Sequence, residues 1–181
     1  MTDFARLMSD YFVKYLAGQK GSGSNTMKTY RDTFVQLLEF MDEKKHIRAD
    51  CIEVDSFSYD IINEFLEYLE KEKRVSISTR NNRLAAIRSF FKYTGYHEPK
   101  YLNISTSIRE ISKKKTEGRQ MNYLSVNAME HFLNSFDKTD HKELRCFCIV
   151  LLLYESGARV TELCNVRRYD LHLEKPYTMI L

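Results

Sequence analysis

Tyr154-Glu155-Ser156-Gly157-Ala158-Arg159-Val160-Thr161-Glu162-Leu163-Cys164-Asn165-Val166 follows the most apolar run in the chain, Cys146 to Tyr154. In that run Phe147, Ile149, Val150, Leu151, Leu152 and Leu153 leave no polar face, so it reads as a buried helix. Gly157 stops the helix, because glycine just past a last turn can take the left-handed conformation that closes it. Arg159 then falls at the start of a further helix, with Val160 and Leu163 directed to a core. Glu162, three residues on, shares its face and can accept a hydrogen bond from the guanidinium. An isolated Arg/Glu pair of this kind is usually a structural ion pair.

With 181 residues, 43% of them hydrophobic, the chain can bury one core or two small ones. Six Gly and two Pro are few breakers, which favours a mainly helical fold. The net charge of +3 announces no partner by itself, and its distribution says more. Residues 1–100 carry 16 basic and 15 acidic groups, residues 101–123 carry 5 and 2, and residues 124–181 carry 7 and 8. Cys51, Cys146, Cys148 and Cys164 form no CxxC pair and read as buried, reduced thiols. No apolar run approaches the roughly 18 residues of a membrane span, and no secretory signal pattern opens the chain. The expected compartment is the cytoplasm, with no membrane partner.

Outward from the Arg159 stretch, the N-terminal hundred residues read as four helices. Phe4, Leu7, Met8, Tyr11, Phe12, Tyr15 and Leu16 give an amphipathic helix over about 3–17. A Gly/Ser connection follows, with Ser24 or Asn25 capping a second helix whose stripe is Tyr30, Phe34, Leu37, Leu38 and Met41. Residues 50–58 read as a loop, and Ser58 or Asp60 opens a third helix through Ile61, Ile62, Phe65, Leu66 and Leu69. A fourth begins after Ser78, buries Leu84, Ile87, Phe90, Phe91 and Tyr93, and is closed by Gly95. Residues 1–100 thus form a bundle. Residues 101–123, with at most a short helix between Asn103 and Ile111, form a basic linker. Residues 124–181 form a second domain, opening with a Ser125-capped helix and ending in a strand at Tyr177 to Leu181 that has no evident partner.

Leu152-Leu153-Tyr154-Glu155-Ser156-Gly157-Ala158-Arg159-Val160-Thr161-Glu162-Leu163 resembles the first catalytic box of the tyrosine recombinase (phage integrase) family, whose form is Tyr-x-Thr/Ser-Gly-x-Arg-Val/Ile-Ser/Thr-Glu-Leu. Asn25-Thr26-Met27-Lys28-Thr29-Tyr30-Arg31 resembles the opening of that family's core-binding domain, and Ser78 to Tyr93 its last long helix. The resemblance spans about Asn25 to Asp170. It implies a mainly α fold: a four-helix, SAM-like core-binding bundle, then the N-terminal, mostly helical part of a catalytic domain. It also implies double-stranded DNA as partner, with both helix starts facing it. Thr26, Lys28, Arg31, Thr79, Arg80, Asn82, Arg83, Arg88 and Lys92 offer hydroxyl, amide and cationic donors suited to phosphates and base edges. Lys113, Lys114 and Lys115 would add sequence-independent affinity from the linker. Any one of these taken singly is more often a solvated helix face.

The family's chemistry needs no metal or other cofactor. A tyrosine hydroxyl attacks the scissile phosphodiester, and arginines hold the nonbridging oxygens as charge builds in the transition state. The resemblance assigns Arg159 to the first such clamp, with Glu162 supporting it. The family's hairpin lysine, its His/Lys-x-x-Arg box, its second His or Trp and its nucleophilic tyrosine fall beyond the position corresponding to Leu181. Neither Tyr169, Tyr177 nor His172 stands where they would. The chain is therefore expected to be a truncated recombinase, catalytically inert by itself and mainly monomeric, where the full protein would act as a tetramer on two sites. Two other readings remain open: a DNA-binding regulator that keeps only the binding half, and a helical interaction module with no nucleic-acid role.

Overall fold

The computed structural model describes residues 1–116, 118, 122–172 and 179–180, with backbone alone at 19, 172, 179 and 180. Two compact units divide it, Met1–Gly118 and Arg119–Leu181. In the first, α1 (Asp3–Asp10) runs on into a π-helical stretch (Tyr11–Gln19). Then come α2 (Ser24–Lys45), α3 (Tyr59–Lys71), α4 (Ile77–His97) and α5 (Leu102–Glu110). Short 3-10 turns at Ala49–Cys51 and Val54–Ser56 occupy the expected loop and bury Val54. The mainly α bundle expected from the periodicity is what the chain forms.

The switch to π geometry shows in which side chains go inside. Phe4, Leu7 and Tyr11 recur at three and four residues, and the next fully buried position is Leu16, five further on. Tyr11 is enclosed with its hydroxyl satisfied by Ser89 Oγ at 2.8 Å. Phe90, on α4, is the hub of the core. Its ring meets Phe34 at 5.2 Å, Phe91 at 5.2 Å, Tyr11 at 5.4 Å and Phe4 at 5.6 Å, all near edge-to-face.

Caps follow local chemistry. Ser58 accepts from Ile61 N, as expected, but α4 starts earlier than Ser78 because Ser76 accepts from Thr79 N. The cap of α2 is Gly23 rather than Ser24 or Asn25.

Two further expectations are corrected. Gly95 does not end α4, which continues to His97. Its missing side chain lets α5 approach: a Cβ there would sit 2.7 Å from Ser105 Oγ and 2.8 Å from Ser105 Cβ. Residues 101–111 are not linker. Tyr101, Ser105, Ile108 and Ile111 are buried, Ser105 Oγ donates to the Phe91 carbonyl at 2.7 Å, and α5 packs along α4. Only the segment after Ile111 leaves the helical pattern.

The second unit holds α6 (Val126–Asn134), α7 (His141–Ser156) and α8 (Val160–Asn165). A ladder pairs β1 (Leu171–His172) antiparallel with β2 (Met179–Ile180). The strand expected to lack a partner therefore has one within the chain. Its expected start at Tyr177 lies outside the described residues. Ser125 caps α6 as expected. Burial differs from expectation: no residue of α6, α7 or α8 is buried, Val160 is 64% exposed, and all four cysteines are exposed. Among the described residues of this unit, the two short helices α6 and α8 leave the apolar side of α7 incompletely covered, with Phe147 meeting Phe136 at 6.2 Å.

Two tests follow from the first unit. Gly95→Ala should destabilise it by about 1–3 kcal/mol, the cost of overpacking outweighing alanine's better helix propensity, as read by denaturant unfolding. Asp3 joins the start of α1 to Lys100 (2.5 Å), Tyr101 (2.9 Å) and Arg6 (3.4 Å). These partners, Lys100 foremost, lower its carboxyl to about 2. A depressed carboxyl stabilises the fold above its unfolded pKa and loses that contribution as pH falls through the folded value. The stability gap between wild type and Asp3→Asn should accordingly be open at pH 5 and close between about 4 and 2.

Candidate nucleic-acid interface

The starts of α2 and α4 lie side by side and frame two adjoining surface grooves. One is lined by Asn25, Thr26, Thr29, Tyr30, Asn82 and Ala85. The other is lined by Tyr15, Lys20, Tyr30, Ala85, Arg88, Ser89, Lys92, Arg109 and Lys113. Tyr30 and Ala85 belong to both, so a face of hydroxyl and amide donors passes directly into one with five cations. No carboxylate lines either groove among the described residues. Such a surface offers a polyanion both directional donors and an uninterrupted positive field.

Of the twelve residues expected to bind DNA, five line these grooves: Thr26, Asn82, Arg88, Lys92 and Lys113. Lys28, Arg31 and Lys115 are exposed outside them, and Arg31 stands 3.9 Å from Asp32. Thr79 is half-buried, its Oγ1 3.0 Å from Ser76 Oγ. Lys114 reaches Glu70 at 2.8 Å.

Arg80 and Arg83 turn inward. The Arg80 side chain is 6% exposed; its Nε lies 3.2 Å from Glu70 Oε1, and it donates to Asn81 Oδ1 and to the Ser112 carbonyl at 3.2 Å. Arg83 donates to the Thr29 carbonyl at 3.0 Å and Thr33 Oγ1 at 3.2 Å, tying α4 to α2. The Arg80 guanidinium is enclosed and Arg83 is half-buried. Lys20 and Arg109, not singled out from the sequence, also line the cationic groove: one follows the π-helical stretch and the other sits in the last turn of α5. Arg88 donates to the Arg109 carbonyl and so joins α4 to α5 beneath the groove.

The Arg159 turn belongs to the other unit. Gly157 closes α7 at φ 63°, and Arg159 caps α8 in extended conformation. Glu162 holds it twice, accepting from the Arg159 backbone N–H at 2.7 Å and from its guanidinium at 2.8 Å. These bonds, the backbone one first, lower the Glu162 carboxyl. With its side chain 82% exposed, Arg159 is held at the root and open at the tip.

Residues 10–99 match the phage integrase N-terminal SAM-like domain. The chain belongs to the phage integrase family. It is 28% identical over 92% of its length to "Putative integrase/recombinase y4rC" of Sinorhizobium fredii, covering 50% of that protein. It is 26% identical over 91% of its length to the tyrosine recombinase XerC of Staphylococcus aureus, covering 52% of it. The chain thus spans about half the length of these curated relatives. Its fold resembles that of the XerH site-specific recombinase, crystallised on a palindromic difH substrate after cleavage, with TM-score 0.62, 21% identity, and coverage of 96% of this chain and 49% of that one. Among the described residues no helix of this integrase-family chain is long and apolar enough to cross a membrane.

Enclosed and exposed basic side chains separate by one experiment. Arg80→Ala should cost about 2–3 kcal/mol in denaturant unfolding, because it removes an enclosed guanidinium bonded to Asn81 and Ser112 and leaves the half-enclosed Glu70 with Lys114 alone. Lys92→Ala, at an exposed position, should stay within about 0.5 kcal/mol of wild type.

Proposed function

We propose that this chain forms the DNA-gripping part of a tyrosine-type site-specific recombinase, with its first unit laid on duplex DNA through the paired grooves of α2 and α4. The observation that carries this reading is the carboxylate-free line of Lys20, Arg88, Lys92, Arg109 and Lys113 beside the donors Asn25, Thr26 and Asn82. The cations suit phosphate oxygens, whose neutralisation releases counterions, and the amides and hydroxyls suit base edges or sugar.

In the second unit Arg159 is the candidate clamp for the nonbridging oxygens of the scissile phosphate. Glu162 fixes both its backbone and its head, and a guanidinium so oriented costs little reorganisation when charge develops. Cleavage through a phosphotyrosine link and rejoining, by four protomers on two sites, are assigned to the complete recombinase acting in the cytoplasm. One arginine supplies neither nucleophile nor proton transfer, so this chain alone binds without cutting.

Fluorescence anisotropy on a labelled duplex of about 30 base pairs tests this. Affinity should fall linearly with salt on logarithmic axes, and Lys20→Glu with Lys92→Glu should weaken binding on every sequence, reducing the slope by about 0.9 for each phosphate no longer neutralised. Binding that ignores both salt and this double substitution would overturn the interface. A supercoiled plasmid incubated with the chain should remain supercoiled; nicking abolished by Arg159→Ala would overturn the assignment of inertness.

A further inference from the structure

The segment that follows α5 is pinned to the bundle by side chains rather than by helix packing. Ile111 is buried, and the Ser112 carbonyl accepts from Arg80 at 3.2 Å. Two residues on, Asn81 meets the backbone of Lys114 from both sides: its Nδ2 donates to the Lys114 carbonyl at 2.8 Å, and its Oδ1 accepts from the Lys114 N–H at 3.1 Å. The same Oδ1 accepts from Arg80 at 3.2 Å, so the amide is orientated as well as paired. The Lys114 ammonium is drawn to Glu70 at 2.8 Å. Between the two pinned residues stands Lys113, in the groove with Arg88, Lys92 and Arg109.

We propose that Asn81 is a positioning residue for binding the DNA backbone: by holding the main chain at Lys114 it keeps Lys113 in the groove, preset to meet a phosphate. An asparagine amide is suited to this, since its donor and acceptor match one residue's C=O and N–H while it carries no charge to oppose a phosphate. An unpinned lysine segment would present the same charges over many conformations and bind more weakly because of the ordering cost. The inference rests on the DNA reading above and assigns to the three residues Ser112 to Lys114 different duties: Ser112 and Lys114 anchor, and Lys113 meets the DNA.

A double-mutant cycle on the whole chain tests it, with duplex binding followed across salt concentrations. Lys113→Ala should weaken binding and reduce the salt slope by about 0.9. Asn81→Ala should reduce affinity and slope in the same direction although it removes no charge, and in the Lys113→Ala background it should change affinity by less than about twofold. Limited trypsin digestion supplies a second readout: Asn81→Ala should speed cleavage at Lys113 to Lys115 under conditions where the bundle, though it loses one of the oxygens around Arg80, is still folded. Equal loss in both backgrounds would mean that Asn81 acts independently of Lys113, and unchanged cleavage would mean that it does not hold the segment; either overturns the inference and leaves the DNA reading standing. Wild-type protein that shows no salt-dependent binding would remove both.

Discussion

The enclosed guanidinium of Arg80 organises the face on which the functional reading depends. It sits where the end of α3, the start of α4 and the segment beyond α5 converge, and each supplies it an oxygen through Glu70, Asn81 and Ser112. A charge so little exposed must be compensated or it destabilises the fold. That requirement draws the segment after α5 onto the bundle, fixes the side from which Lys113 enters the groove, and engages Glu70 with Lys114 as well. An enclosed arginine thus decides where the exposed cations stand.

The groove is assembled from distant parts of the chain. Lys20 arrives from the π-helical stretch, Arg88 and Lys92 from α4, Arg109 from α5 and Lys113 from the segment after it. What brings them together is the aromatic packing around Phe90, which seats α1 and α2 against α4, and the absent side chain of Gly95, which lets α5 close on α4. The positive field is a consequence of core packing as much as of composition, since a net charge of +3 would otherwise say little.

Much of this was legible in the sequence, and the rest was hidden for physical reasons. Spacing of apolar residues revealed the first four bundle helices, and the local chemistry of Ser58, Ser125 and Gly157 marked caps correctly, because caps depend on neighbours in sequence. The hinge of Arg159 and Glu162 was legible for the same reason. Which arginines of α4 face inward was not: Arg80 is decided by Glu70 and Ser112, and Arg83 by Thr29 and Thr33, all on other elements. Gly95 looked like a helix stop because glycine is frequent there, whereas its use is close approach to a helix that the basic composition after residue 100 disguised. Lys20 and Arg109 carried no local signal, since only the tertiary fold places them beside Arg88.

The central claim is that the α2 and α4 grooves are where duplex DNA lies on the first unit. Hydrogen–deuterium exchange of the whole chain, with and without saturating duplex at low salt, addresses it most directly, because it maps the bound surface without altering a residue. The account predicts slowed exchange concentrated in peptides covering residues 20–33, 79–92 and 109–115, with the outer face of α3 unchanged. Protection confined to α3, or spread evenly over the chain with no preference for those three segments, would contradict it.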